Sequence, residues 1–145
     1  MRPIVRAGET FSWDRDLSEQ QAREFWLPEP PGATFVAQDE GGQIVGSAEL
    51  SRNHGGGGAH IANAGFMVDA AHAGRGVGRA LGEHVIEQAR AAGFVAIVFN
   101  AVVATNERAV ALWRHLGFEI LATVPGGFRH PTIGPVGLHI MYRAL

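Results

Sequence analysis

The segment Gly74-Arg75-Gly76-Val77-Gly78-Arg79 alternates glycine with other residues and carries two arginines. Glycines let backbone N–H groups crowd around a ligand, and the start of a helix adds a partial positive charge. Together they form a seat for a pyrophosphate. Other residues with chemical potential are isolated. Asn63 and Asn100 each interrupt an apolar run, and buried strands satisfy or exploit such polar groups. Glu49, His130 and Tyr142 are the acid, base and phenol nearest to these runs in the pattern of elements. The seven histidines lack the close spacing of a metal-binding helix, so no metal site is expected. With no cysteine, thiolate chemistry and disulfides are excluded.

The elements that position these residues follow from periodicity. Ser18 to Trp26 has capping-box spacing at Ser18 and Gln21 and reads as a short helix stopped by Pro28. Thr34 to Gln38 and Gln43 to Leu50 read as a hairpin turning at Glu40-Gly41-Gly42. Arg52 to His60, with its tetraglycine, reads as a loop, and Ile61 to Val68 as a third strand. Val77, Leu81, Val85 and Ala89 recur every four positions, so a helix is predicted from Gly76 to Ala92. Phe94 to Asn100 is an apolar run typical of a buried strand. A helix from Thr105 to Leu116 and strands at Glu119–Val124 and Val136–Tyr142 complete the pattern, with Pro125 to Pro131 predicted as a loop.

The chain of 145 residues is long enough for one domain with its own core, spanning residues 1–145. A hydrophobic content of 46% and a formal charge of -2 describe a globule without the basic stripe of a nucleic-acid binder. No apolar run approaches the ~20 residues of a membrane span. The first residues lack a signal peptide's apolar centre. A cytoplasmic setting is therefore expected, with neither nucleic acid nor membrane as partner.

Several phosphate sites use glycine-rich turns. A P-loop requires Lys and then Ser or Thr after its last glycine, whereas Arg79-Ala80 follows Gly78. A dinucleotide fingerprint counted from Gly76 and Gly78 places its third glycine at Leu81, and Asn100 stands where its ribose-binding acid belongs. A plain tight turn needs no ligand. Gly74 to Leu81 instead resembles the coenzyme A loop of the GCN5-related N-acetyltransferases. Asn106 to Ala109, Leu112-Trp113 and Leu116-Gly117-Phe118 resemble that family's second motif in the right order and at the right separation. The resemblance covers Thr34 to Tyr142. Ala70 and Ala73 depart from the family's usual Pro and Arg or Gln.

The resemblance implies an α+β fold with a mixed, mostly antiparallel sheet, a splayed central strand pair and flanking helices. The segment before Thr34 is short for the family. Pro3 to Thr10 reads as the end of a first helix, and the first strand is expected to be missing or rudimentary. Edges left open by that loss favour a homodimer. The resemblance also implies acetyl-CoA as cosubstrate and direct transfer of acetyl to a small primary or secondary amine. The implied coenzyme-binding residues are Met67, Val68, Gly74, Arg75, Gly76, Val77, Gly78, Arg79, Asn106 and Trp113. The backbone N–H groups around Met67 and Val68 are the expected donors to the thioester oxygen.

Family members often carry a glutamate base on the third strand, and Ile61 to Val68 contains no acid. Glu49 and His130 are expected to face solvent, leaving a water relay to remove the amine's proton. Trp113 stands where the family commonly has a tyrosine, and an indole N–H is too weak an acid to protonate a thiolate. Tyr142 or water is left for that step, with Trp113 walling the pocket.

Asn63 and Asn100, from neighbouring strands, are expected to aim at the acceptor and complete the catalytic set with Met67 and Val68. Asn106 is expected to cap its helix. The segments Asn63–Val68, Phe99–Asn106 and Val124-Pro125 with Phe128 resemble a microbial branch containing azetidine-carboxylate and proline-analogue acetyltransferases. That branch points to an amino-acid-like amine, whose carboxylate Arg129 would suit. A non-catalytic coenzyme-A-binding module and a nucleotide-dependent enzyme using the same turn are the competing readings.

Overall fold

A computed structural model describes residues 2–145 of the chain. The elements run α1 (Arg2–Ala7), α2 (Glu19–Trp26), β1 (Ala33–Gln38), β2 (Ile44–Arg52), β3 (Ile61–Val68), α3 (Val77–Ala91), β4 (Ala96–Val103), α4 (Glu107–His115), β5 (Glu119–His130) and β6 (Gly134–Ala144). The strands form one six-stranded sheet in the order β1-β2-β3-β4-β6-β5. Every neighbouring pair is antiparallel except β3 and β4. This is the α+β, mostly antiparallel architecture that the sequence implied. Among the described residues no strand precedes β1, and no helix is long and apolar enough to cross a membrane.

Strand alternation divides the sheet into two unlike faces. On one, Ala48 and Leu50 of β2, Ala62 and Ala64 of β3 and Ile97 and Phe99 of β4 pack against the apolar stripes of α3 and α4. Leu50, Val85 and Ile97 are among the largest fully buried side chains, each stabilising the fold by about 1.5–3 kcal/mol. On the other face Met67 packs with Val5 of α1 and Trp26 of α2. Beside the buried Val45, this face carries Ser47, Glu49 and Ser51 on β2 and Asn63 and Gly65 on β3.

The helices begin as their sequences require, with one exception. Ser18 and Gln21 form the reciprocal capping box of α2. Asn106 caps α4, its side-chain oxygen accepting from Ala109 N at 3.3 Å. The start of α3 has Gly76 at the cap and no side-chain hydrogen bond. The tetraglycine forms a short 3-10 turn, Gly56–Gly58, in the connection from β2 to β3.

The largest departures from the expected boundaries are in β4 and β5. β4 starts at Ala96 rather than Phe94 and continues past Asn100 to Val103. The larger correction concerns Pro125 to Pro131, predicted as a loop. β5 runs through this segment as far as His130 and pairs with β6 at Phe128↔Val136 and His130↔Gly134. The register shifts between Val124 and Phe128, so Pro125-Gly126-Gly127 is absorbed as an irregularity in an edge strand. An edge strand tolerates proline because its outward N–H needs no ladder partner.

Candidate active site

β3 and β4 share two rungs, Ile61↔Ala96 and Ala62↔Ile97. From Asn63 onward β3 keeps its partner β2 on one side, and β4 keeps β6 on the other. The two strands therefore part into the open gap that the resemblance implied. Met67 and Val68 form the last rungs of β3 with β2, opposite Ser47 and Gly46, well beyond the last rung shared with β4.

The glycine-arginine turn closes the same end of β3. Asp69 follows the strand and accepts from Ala71 N at 3.0 Å. The chain then passes through Gly74 (φ 78°) and Gly76 (φ 83°) into α3. These positive φ values are open to glycine and strained for other residues. The first N–H groups of a helix have no intrahelical acceptor. At α3 no side chain supplies one, so the amides of Val77, Gly78 and Arg79 stay available to an anion. Arg75 is exposed beside them, and Arg79 pairs with Glu83 at 2.8 Å on the surface. An open groove of about 470 Å³, lined by Gln38, Asp39, Glu40, His72, Arg75 and Val77, adjoins this turn.

The two asparagines flank the gap without meeting. Asn63 is half-buried on β3, one residue past the last rung shared with β4. Asn100 is exposed at the irregularity between Phe99 and Val102, where β4 shifts register against β6. Its amide Nδ2 donates to Asn53 Oδ1 at 2.6 Å, a partner that sequence reading did not supply.

The expected acid–base groups fall in unlike places. His130 is half-buried, and its Nδ1 accepts from Thr132 N at 3.3 Å and Ile133 N at 3.4 Å, closing the β5–β6 turn. Arg129 is exposed on the same hairpin, opposite Pro135. Tyr142 is half-buried on β6 beside Val98 of β4. Trp113 lies on the helical face, its ring centroid 4.6 Å from Phe66 and 4.9 Å from Phe99.

Glu49 overturns the expectation of a solvent-facing side chain: its relative exposure is 7%. It stands opposite Gly65 on β3, with Trp26 of α2 covering both. A methyl group at Gly65 would lie 3.2 Å from Glu49 Oε1 and 3.1 Å from the Trp26 ring, so the glycine makes the space they share. Burial pushes the Glu49 carboxyl up to about 7, while the Ser51 hydroxyl and the Gly65 backbone pull it down. Its Oε2 is buried without a hydrogen-bond partner. The alternation Ser47, Glu49, Ser51 has the polar pattern of a solvent-facing strand face. Only Gly65 opposite Glu49 and the indole at Trp26 could have signalled a cover.

The sheet is parted in the middle, as the resemblance implied, with an uncapped, glycine-opened helix at the mouth of the gap. Comparison with known proteins agrees. A model of the acetyltransferase (GNAT) family matches residues 2–118. The N-acetyltransferase aca1 of Schizosaccharomyces pombe is 30% identical over 129 residues, covering 79% of this chain. The chain spans 61% of the length of that curated relative. Among solved structures, a GCN5-related N-acetyltransferase from Kribbella flavida is 53% identical with a TM-score of 0.95, covering 99% of this chain and 87% of that one. A ribosomal-protein-alanine N-acetyltransferase from Brucella melitensis is 28% identical with a TM-score of 0.79, covering 92% and 83%. The chain belongs to the acetyltransferase (GNAT) family.

Proposed function

We propose that the protein is an acetyl-CoA-dependent N-acetyltransferase that passes the acetyl group directly to the nitrogen of a small primary or secondary amine. The observation that carries this reading is the uncapped start of α3 at the mouth of the β3/β4 gap. The amides of Val77, Gly78 and Arg79 would take the pyrophosphate, with Arg75 and Arg79 adding charge. The free edge of β3 would pair with the pantetheine arm. The Val68 N–H would meet the charge that gathers on the thioester oxygen, whereas the alternation of the β2–β3 ladder turns the Met67 N–H toward Ser47, away from the gap. Asn106, already fixed as the cap of α4, would orient the coenzyme.

Asn63 and Asn100 are the acceptor-holding residues in this reading, one on each side of the gap. An amino-acid-like acceptor fits the likeness of the Asn63, Asn100 and Phe128 segments to the azetidine-carboxylate and proline-analogue branch, with Arg129 as the cation for its carboxylate. Release of the coenzyme A thiol across a panel of primary and secondary amines, proline analogues included, tests the function. Turnover with at least one amine is expected. Binding of acetyl-CoA without turnover on any amine would make the protein a coenzyme-A-binding module instead. Thermal stabilisation by NAD or ATP and not by acetyl-CoA would point to a nucleotide-dependent enzyme. Substituting Asn63→Ala should raise KM for the amine and leave acetyl-CoA affinity unchanged.

A cytoplasmic homodimer suits this chain. Its cysteine-free composition sits easily in a reducing compartment. The edge strand β5 and its hairpin expose Leu121, Val124 and Ile133 to solvent. Light scattering during gel filtration reads the stoichiometry directly.

A further inference from the structure

Glu49 is the buried polar residue that the function proposed above leaves unused. It lies on the face of the sheet that carries Asn63, and its rung on β2 leads across β3 at Gly65 toward the β3/β4 gap. Position 65 itself contributes no side chain to the space between the carboxyl and the gap, and the Trp26 ring forms the roof over that rung. Around Glu49 stand Trp26 from α2, Thr34 from β1, Ser47 and Ser51 from its own strand and Gly65 from β3, none of them charged. A buried carboxylate with a free oxygen and no cationic partner is an incomplete ion pair, and burying one in that state is costly.

The geometry points to Glu49 as the residue that receives the acceptor's ammonium group across Gly65 and removes its proton. This rests on the acetyl-transfer reading and adds a residue to it. The ammonium group supplies the missing cation, with the Trp26 ring beside it as an apolar and π-rich wall. The Glu49 carboxylate takes one proton from nitrogen through Oε1, the oxygen that faces Gly65, and this frees the lone pair. The nitrogen then forms a bond to the thioester carbon and the carbon–sulfur bond breaks. A second proton from nitrogen goes to the leaving thiolate through water, and Glu49 returns its own proton to solvent. The acid missing from β3 is thus replaced from β2, and the replacement works because position 65 is glycine.

The test compares wild type with Glu49→Gln on two acceptors: the best amine of the panel, and a fluorinated analogue whose ammonium group is already deprotonated at the assay pH. With the ordinary amine, kcat/KM should fall by about 100-fold or more, the scale of a lost general base. With the fluorinated analogue the loss should nearly vanish, while KM for acetyl-CoA is unchanged for both. The wild-type rise of kcat/KM with pH, centred near Glu49's value of about 7, should disappear in the variant. Gly65→Ala, which puts a methyl 3.2 Å from Oε1, should reduce amine turnover and spare acetyl-CoA binding. Equal losses on both acceptors, or an unchanged rate on the ordinary amine, would overturn the role of Glu49. A wild type inactive with every amine would instead overturn the acetyl-transfer reading, and this role with it.

Discussion

Trp26 and Ser47 are joined by a 2.8 Å hydrogen bond from the indole Nε1 to the hydroxyl Oγ. The Ser47 hydroxyl donates in turn to the Phe35 carbonyl at 3.0 Å, and Thr34 Oγ1 donates to the Trp26 carbonyl. The last residue of α2 is therefore tied to both β1 and β2, directly above the rung that holds Glu49. Removing the acceptor with Ser47→Ala leaves a buried N–H unpaired, which costs about 1–3 kcal/mol. Urea denaturation should show that loss. A change under a few tenths would mean the indole finds another partner.

Glu49 makes stability depend on pH with a definite sign. Its carboxyl titrates at about 7 in the folded protein against 4.5 for an unburied side chain, so between those values the folded state holds a proton that the unfolded state has released. Stability contributed by this group is intact below the lower value and declines as pH rises through the upper one. The full cost of ionising it in place is about 3 kcal/mol. Glu49→Gln escapes that cost. Its melting temperature should overtake the wild type's progressively from pH 5 to pH 8, and a gap independent of pH would contradict the assignment.

Gly76 offers a clean probe of the phosphate turn. Its φ is 83° and a Cβ there would meet nothing within 4 Å, so Gly76→Ala imposes backbone strain without a clash. Adopting that conformation with a side chain costs about 1–2 kcal/mol. If the amides after Gly76 hold the pyrophosphate, part of that strain should be relieved by distorting the turn. The dissociation constant for coenzyme A, read by titration calorimetry, should then rise about tenfold. Unaltered affinity would separate the turn from coenzyme binding.

Trp113 should behave as packing. Truncation to alanine removes the ring that touches Phe66, Phe99 and Phe118, a loss of about 3–5 kcal/mol at a buried aromatic site. Trp113→Phe should keep the fold and leave the pH profile of turnover in place. A profile altered by the phenylalanine variant would contradict a packing role for Trp113.

Much of this architecture was legible in the residues. Capping at Ser18 and Asn106, the four-residue spacing in α3 and the punctuation by glycine are local signals, and the structure follows them. Non-local signals were harder to read. Pro125-Gly126-Gly127 has the composition of a loop, and only pairing with β6 makes it strand. Glu49 alternates with serines as a solvent-facing residue would, and its burial depends on a tryptophan more than twenty residues away. Asn100 was visible as an odd polar residue, but its bond to Asn53 depends on how the chain turns after β2.

The two shared rungs of β3 and β4 have a mechanical consequence. β1 to β3 and β4 to β6 are two plates joined in the sheet by one short seam at Ile61, Ala62, Ala96 and Ile97. On the back, Trp113 packs against Phe66 of one plate and Phe99 of the other, and so bridges the two across the part where they share no rung. A change in the bulk of that bridge would retune what the gap admits without touching a single residue that lines it.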